Sequence, residues 1–346
     1  MVNTFTEIIE KISKTENLTE GEASSAMVLI LRGNVTSEEV AAFLVGMRMK
    51  GVTISELTAF VKVMRKAAIK VEVDTANAVD VCGTGGDKSG TFNISTAAMF
   101  VAAGADVPIL KHGNRSVSSK SGSYDVLETL GAVPNLSKNQ VEKLFNETRM
   151  AFMFAPNFHP ALKYVMPARR ALKIRTFFNM LGPLLNPADV KCQVIGAFSN
   201  QAAGQMIQIL GNLHTENAYT IHSHDGLDEV SLSSKSEIFE LNSHLSATSV
   251  TFNPESLGYK MVKRDELAGG DAIRNAAILK SILEGTSTEA QRNIVELNAA
   301  FAIRASNITD NLEIAKQMAS ESIDSRKALK KMNQFVEVSQ KLAKEE

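Results

Sequence analysis

Two glycine-rich segments, residues 80–87 and 111–119, constrain this chain more than any other feature. Each follows a short apolar run typical of a buried strand and precedes a helical pattern, an order that predicts a mostly parallel sheet. In such a sheet both segments lie at the carboxyl ends of strands, where ligands bind. Glycines there let the backbone approach an anion closely and offer N–H groups to it. The pair therefore predicts one polyanionic ligand held from two sides.

Polar side chains beside both segments have the chemistry that a phosphorylated ligand requires. Small hydroxyl and amide side chains follow the first segment: Thr91, Asn93, Ser95 and Thr96. Such oxygens suit phosphate or hydrated magnesium. The second segment carries Lys111 and Arg115, whose cations suit phosphate oxygens. A lone Gly-Thr-Gly-Gly run is typical of an ordinary turn, so the prediction of a site depends on the pairing of the two segments.

Strand and helix patterns alternate along most of the chain after residue 71. The predicted strands are residues 78–82, 107–110, 150–154, 193–198 and 218–221. The predicted helices between them are residues 95–104, 137–148 and 202–213, and a helical stretch begins at about residue 287. The fold class is therefore α/β, with a mostly parallel sheet flanked by helices.

The N-terminal part shows helical patterns without strand patterns, which predicts a smaller all-helical domain. Three capping boxes occur in quick succession, Thr19-x-x-Glu22, Thr36-x-x-Glu39 and Thr53-x-x-Glu56. Each begins a run with apolar residues at helical spacing. We predict a helical domain of residues 1–72, with a contribution from about 160–188, and an α/β domain of residues 73–346.

Residues 154–187 are rich in proline and in basic side chains. Five of the eight prolines of the chain lie here, together with Lys163, Arg169, Arg170, Lys173 and Arg175. Arg169 and Lys173 are four apart, which places them on one face if a helix continues through both. One interpretation is a solvated basic helix. The proline spacing favours a second interpretation, a fixed crossover that returns near the glycine segments.

An acidic motif, Gly226-Leu-Asp-Glu229, follows the last predicted strand. Adjacent carboxylates at a strand end suit magnesium, which takes its remaining ligands from water and phosphate. In isolation the motif is typical of an acidic turn, whereas opposite two phosphate-type loops it predicts a metal site. His222 and His224 lie two residues apart without a third ligand, so we expect them to serve surface or supporting roles.

Composition excludes several classes of function. The net charge of −1 over 346 residues argues against general affinity for nucleic acid or an anionic membrane surface. The longest apolar runs are far shorter than a membrane span, and no signal peptide is visible. Cys82 and Cys192 lack metal-type spacing, and Cys82 is expected to be packed in its strand. We expect a cytoplasmic protein.

Several segments, in order over roughly residues 20–330, resemble the anthranilate phosphoribosyltransferase family. The segments are Gly83-Thr-Gly-Gly-Asp87, Asn93-Ile-Ser-Thr96, Lys111-His-Gly-Asn-Arg115, Ser121-Gly-Ser123, His159-Pro160, Arg169, Arg175-Thr176, Asn179-Met-Leu-Gly-Pro183, Asn186-Pro187 and Gly226-Leu-Asp-Glu229. The resemblance implies transfer of a phosphoribosyl group from 5-phosphoribosyl-1-diphosphate to anthranilate in tryptophan biosynthesis. It also implies a homodimer formed through the helical domain.

The resemblance implies the following site residues, none of them a nucleophile or other catalytic side chain. Phosphoribosyl diphosphate would contact Gly83, Gly86, Asp87, Thr91, Asn93, Ile94, Ser95, Thr96, Lys111, His112, Gly113, Asn114, Arg115, Ser116, Val117, Ser118, Ser119 and Ser123. Anthranilate would contact Gly83, Asn114 and Arg169, with His112, Gly113 and Gly182-Pro183 shaping its pocket. Two Mg²⁺ ions per subunit would be held by Ser95, Asp228 and Glu229.

Two positions depart from the family pattern. Tyr124 stands where the family usually has alanine, and it would either narrow the diphosphate site or pack outward. Lys88 replaces a glycine and would either assist phosphate binding or face solvent. Two alternative functions stay open at this point: a pyrimidine nucleoside phosphorylase, which shares the family's fold, and a nucleic-acid-binding relative.

Overall fold

The computed structural model describes residues 4–86, 89–115, 120–242 and 247–345. The helices are α1 (Phe5–Ser13), α2 (Glu20–Leu31), α3 (Ser37–Lys50), α4 (Ile54–Ala67), α5 (Ile94–Gly104), α6 (Ser123–Thr129), α7 (Lys138–Thr148), α8 (Ala155–Phe158), α9 (Met166–Leu172), α10 (Phe178–Leu181), α11 (Asn200–Asn212), α12 (Ala272–Leu283), α13 (Glu289–Ala305), α14 (Leu312–Asp324) and α15 (Lys327–Leu342). The strands are β1 (Val79–Gly83), β2 (Ile109–Gly113), β3 (Met150–Phe154), β4 (Cys192–Gly196), β5 (Asn217–Ser223), β6 (Ser236–Leu241) and β7 (Ala247–Phe252).

The strands form one sheet in the order β3-β2-β1-β4-β5-β6-β7. The first five are parallel, while β6 and β7 extend the sheet in antiparallel pairing. The expected fold class, a mostly parallel sheet flanked by helices with an N-terminal helical part, is confirmed. The strands β6 and β7 were not predicted, because their runs mix polar with apolar residues and β7 is an exposed edge strand.

Helices α1 to α4 begin as their sequence predicts. The three expected capping boxes are present, and Thr4 with Glu7 adds a fourth at α1. In each box the threonine hydroxyl accepts the backbone N–H of the glutamate three residues on, so these starts are encoded locally. None of the helices in the described ranges combines the length and apolar character needed to cross a bilayer.

Apolar side chains gather in two clusters, one on each face of the sheet. Val79 and Val81 of β1 join the first cluster with helices such as α5 and α13, while Cys82 joins the second. The second cluster also contains α1 to α4, α11 and much of residues 165–185. Phe177 of that crossover stacks on Phe60 of α4, with ring centroids 4.9 Å apart. The proline-rich crossover is therefore packed with the N-terminal helices.

A buried carboxylate ties the N-terminal helices together and gives a stability test. Glu56 is fully buried and accepts the backbone N–H of Leu18 at 2.7 Å and the Lys50 ammonium at 2.9 Å. Glu56→Ala should lower the free energy of unfolding by about 3–5 kcal/mol, because it leaves the buried Lys50 charge unpaired. The matched control is Glu39→Ala, which removes the capping-box carboxylate of α3 at a cost of about 1 kcal/mol. Equal losses in urea unfolding would contradict the assigned role of Glu56.

Candidate functional site

The first glycine segment turns sharply where β1 ends. The backbone N–H of Thr84 donates to the Gly196 carbonyl at 2.9 Å, and the Thr84 hydroxyl accepts the N–H of Phe198 at 3.0 Å. Gly85 and Gly86 then adopt φ values of 65° and 72°, a left-handed conformation that favours glycine. The turn is thus anchored to the neighbouring end of β4. Asp87 and Lys88 lie outside the described residues, and their predicted roles stay predictions.

The acidic motif lies directly on this turn. The backbone N–H of Gly85 donates to the Asp228 carboxylate at 3.0 Å. A side chain at Gly83 would place its Cβ 2.8 Å from that carboxylate, and one at Gly196 would lie 1.4 Å from the Asp228 carbonyl oxygen. Glycine at both positions is therefore what allows the acidic motif to reach the end of β1. Gly196 had no predicted role, and only the contact between β4 and the motif could have identified it.

The start of α5 connects the two glycine segments. Asn93 stands at the N-cap of α5, donates through its side-chain amide to the Ser121 carbonyl at 3.3 Å and accepts from the Asn275 amide at 2.9 Å. Ser95 is half-buried in the first turn, and Ile94 is fully buried beneath it. The Thr96 hydroxyl is buried and has no hydrogen-bond partner within the described ranges. Small polar groups are thereby held at a helix N-terminus beside the first segment.

The second segment follows β2, and its lysine is buried. Lys111 is 2% exposed, and its ammonium donates to the Val81 carbonyl of the adjacent strand. Burial lowers the pKa of Lys111, and the nearby carboxylates of Asp80 and Glu229 oppose that shift. The ammonium thus sits between the strands, beneath the acidic motif. Its predicted contact with phosphate oxygens stays a prediction.

Arg115 points from the second segment to α6. Its guanidinium lies 3.8 Å from the centroid of the Tyr124 ring and pairs with Asp125 at 3.3 Å and Glu128 at 3.1 Å. The Tyr124 ring is 4% exposed and packs on Phe154, so it does not pack outward. Residues 116–119 of this segment, all predicted ligands, lie outside the described part of the chain.

The crossover segment returns to the first glycine turn. The Arg175 guanidinium donates to the Gly86 carbonyl and lies 4.7 Å from the centroid of the Phe198 ring. Arg48 of α3 in turn donates to the Arg175 carbonyl at 2.7 Å. These contacts favour the fixed-crossover interpretation over a solvated basic helix. One expectation was wrong: Lys173 adopts a left-handed conformation that ends α9, so it does not share a helical face with Arg169.

Arg169 carries a half-buried guanidinium. It lies 5.5 Å from the centroid of the Phe178 ring, and burial lowers its pKa. Within residues 4–86, 89–115, 120–242 and 247–345, no carboxylate forms an ion pair with it. A desolvated guanidinium of this kind suits an anionic ligand group.

Two histidines meet where the second glycine segment contacts the crossover. The rings of His112 and His159 are 5.1 Å apart, edge to face, and His159 Nε2 donates to the Leu185 carbonyl at 3.0 Å. Burial lowers the pKa of His112 to about 3 and that of His159 to about 4. Both rings are therefore neutral at pH 7.

The remaining pair of histidines serves the supporting roles expected of it. His222 donates through Nδ1 to the Ala197 carbonyl at 2.9 Å, and His224 contacts Glu237 at 2.9 Å. In the described part of the chain, no three carboxylate, imidazole or thiol side chains group as metal ligands. A metal at Asp228 and Glu229 would therefore need ligands from its substrate and from water.

The neutral histidines predict how stability depends on pH. Unfolded histidine has a pKa near 6.5, so below that pH the unfolded chain takes up protons before the folded one, and stability falls. Burial raises the pKa of Asp80 from 3.8 to about 6. Between these two pH values the folded chain takes up the Asp80 proton before the unfolded chain does, so this group adds stability as the pH falls and opposes the histidines. We expect the free energy of unfolding to decrease from pH 6.5 toward 4. His159→Gln should flatten that slope by up to about 1.4 kcal/mol per pH unit. Curves of unfolding free energy against pH that run parallel for the wild type and His159→Gln would contradict this expectation.

Family models match both parts of the chain. The helical bundle domain of a glycosyl transferase family matches residues 6–68, and the a/b domain of that family matches residues 75–329. An anthranilate phosphoribosyltransferase of Alkaliphilus metalliredigens is 45% identical over 334 residues, covering 96% of this chain and 98% of the relative. One of Salinibacter ruber is 44% identical over 341 residues, covering 98% and 99%.

Solved structures agree with these relatives. The anthranilate phosphoribosyltransferase of Thermus thermophilus has a TM-score of 0.90 at 33% identity, covering 96% of this chain and 99% of that one. That of Saccharomyces cerevisiae, solved in complex with PRPP and Mg, has a TM-score of 0.89 at 26% identity, covering 97% and 98%. The similarity extends over both the helical part and the sheet.

Proposed function

This chain belongs to the anthranilate phosphoribosyltransferase family, and we propose that it transfers the 5-phosphoribosyl group from 5-phosphoribosyl-1-diphosphate to the amine of anthranilate. The products are N-(5-phosphoribosyl)anthranilate and diphosphate, and the step belongs to tryptophan biosynthesis. Identity of 45% over nearly the whole length of a relative with that name carries the proposal. No observation favours a nucleoside phosphorylase or a nucleic-acid-binding protein.

The phosphoribosyl diphosphate side of the site is proposed at the two glycine segments and the start of α5. Substitution at the ribose carbon passes through an oxocarbenium-like state while negative charge builds on the leaving diphosphate. The N-terminus of α5 and the small polar side chains that begin it would stabilise that charge without reorganising. The turn is held ready by its bonds to Gly196 and Asp228.

Magnesium is proposed as the cofactor, two ions per subunit, at Ser95, Asp228 and Glu229. These residues offer only oxygen ligands, as magnesium prefers. Bound magnesium would neutralise charge on the diphosphate as it leaves. The chain's own contribution is to hold the motif in place. The Gly85 N–H bonds the Asp228 carboxylate, and the Ser223 hydroxyl donates to the backbone carbonyl of Glu229 at 2.6 Å.

Anthranilate is proposed to lie between the crossover and the second glycine segment. Its aromatic amine is neutral at physiological pH, so the reaction needs positioning more than it needs a strong base. Arg169 would pair with the carboxylate of anthranilate that neighbours the amine, with Asn114 and Gly83 as further contacts. The neutral His112, Gly113 and the turn at Gly182-Pro183 would shape the pocket.

The direct test is the consumption of anthranilate, followed by its fluorescence. The purified chain should consume anthranilate only when phosphoribosyl diphosphate and magnesium are both present, and diphosphate should appear in equal amount. No consumption by the folded chain under these conditions would overturn the proposed function.

Arg169 gives the sharpest test of substrate position. A charge-assisted contact is worth roughly 1.5–3 kcal/mol, so Arg169→Ala should raise the KM for anthranilate about ten- to hundredfold. The KM for phosphoribosyl diphosphate should change little. Arg170→Ala is the matched control, because Arg170 is the next residue on α9 and is exposed. Equal effects of Arg169→Ala on both substrates would place Arg169 in a general structural role.

The acidic pair predicts a dependence on magnesium concentration. The double variant Asp228→Asn with Glu229→Gln keeps oxygen acceptors but removes both charges, so it should lose most activity at ordinary magnesium levels and recover part of it at high levels. Glu237→Gln, a carboxylate of β6 that contacts His224, is the control and should keep the magnesium dependence of the wild type. Near-normal turnover of the folded double variant would remove the metal assignment.

We also propose a cytoplasmic homodimer whose contacts lie mainly in residues 1–70. The proposed domains are residues 1–72, with part of 160–188, and residues 73–346. Both cysteines are buried and free, which suits a reducing compartment. Met49 of α3 is 80% exposed, an apolar side chain that a partner copy would cover.

Two matched surface variants test the proposed dimer. Light scattering should report a dimer at micromolar concentration, and Met49→Lys should shift it toward monomer. Ile273→Lys changes an equally apolar residue, 72% exposed on α12, and should leave the dimer intact. A monomeric wild type, or equal effects of the two variants, would contradict the proposed interface.

A further inference from the structure

The backbone ladder between the two strands that carry the glycine segments is confined to the start of β1. The strand β1 pairs with β4 over five positions, from Val79 opposite Cys192 to Gly83 opposite Gly196. Its pairing with β2 on the other side consists of Val79 opposite Ile109. Backbone groups of β1 and β2 beyond that point therefore need other partners, because buried amides and carbonyls are rarely left unpaired.

Side chains supply those partners, and Asp80 makes two hydrogen bonds there. Its carboxylate is fully buried and accepts the backbone N–H of His112 at 3.1 Å. Its second oxygen accepts the side-chain amide of Asn186 at 2.9 Å. Lys111 crosses the same gap in the other direction and donates to the Val81 carbonyl. Side-chain bonds thus replace the backbone ladder where the two strands approach the site.

The bonds around Asn186 require a carboxylate at residue 80. The Asn186 amide nitrogen also donates to the Leu110 carbonyl at 2.9 Å, and its oxygen accepts the N–H of Ala188 at 2.9 Å. These two bonds fix which end of the Asn186 amide faces Asp80, so residue 80 meets two donors and needs two acceptor oxygens. An asparagine at residue 80 would turn an N–H toward one of them.

We propose that Asp80 is a positioning residue for the transferase reaction: it sets the separation of β1 and β2, and so the distance between the two glycine segments. It also supplies the buried negative charge that Lys111 faces. It touches no substrate, and its effect passes through His112, Lys111 and Asn186. This inference rests on the proposed function for its kinetic part, whereas the protection of the β2 amides can be measured without activity.

The experiment compares Asp80→Asn with Glu296→Gln by hydrogen exchange and kinetics. Glu296 is the matched control, a carboxylate only 5% exposed that accepts the Tyr259 hydroxyl at 2.8 Å in another part of the same domain. Asp80→Asn should speed amide exchange in residues 109–115 at least tenfold and lower kcat at saturating substrates at least tenfold. Glu296→Gln should match the wild type in exchange at 109–115 and in kcat within twofold.

A second variant removes the other partner of the bond between Asp80 and Asn186. Asn186→Ala should speed exchange in residues 109–115 as Asp80→Asn does, and it takes over both measurements if Asp80→Asn does not fold. In exchange and in kcat, the double variant should differ from the wild type no more than the more severe single variant does, because both changes break one network.

Exchange or kcat of folded Asp80→Asn equal to that of Glu296→Gln would overturn the proposal. A wild type without transferase activity would overturn the proposed function instead, and the exchange in residues 109–115 would still decide the role of Asp80.

Discussion

The backbone of the acidic motif lies against β4 at a distance that only glycine permits. Any side chain at Gly196 would collide with the Asp228 carbonyl oxygen, and one at Gly83 would press on the Asp228 carboxylate. Because this contact exists, the carboxylate can accept the N–H of Gly85 and fix the first glycine turn. The proposed metal site, the turn proposed to bind the diphosphate and the end of β1 are thus set by one close approach.

The crossover brings Arg169, the residue proposed to bind anthranilate, toward that place. Its aromatic residues pack with the N-terminal helices, as Phe177 does on Phe60, and its Arg175 bonds the carbonyl of Gly86. These contacts lie six and eight residues after Arg169 and can hold it at a constant position relative to the glycine turn. That arrangement suits a reaction in which two substrates must be aligned and water excluded.

Local signals could be read from the sequence, and contacts between distant segments could not. The capping boxes and the strand at residues 150–154 depend on neighbouring residues, and both were predicted correctly. Lys111 is buried because its ammonium reaches from β2 to the Val81 carbonyl of β1, near Asp80. Its place in the sequence indicated only a cation near phosphate. Arg115 likewise turns toward Tyr124 and α6, a contact that no motif records. No role was predicted for Asp80, although a charged residue within an apolar strand was a signal.

The central claim is that the two glycine segments, the acidic pair and Arg169 form one site for both substrates. A crystal structure of the chain with phosphoribosyl diphosphate, magnesium and an unreactive anthranilate analogue would test it most directly. We expect the diphosphate at the ends of β1 and β2, metal at Asp228 and Glu229, and the analogue's carboxylate at Arg169. An analogue bound away from Arg169, or a diphosphate bound away from both glycine segments, would contradict it.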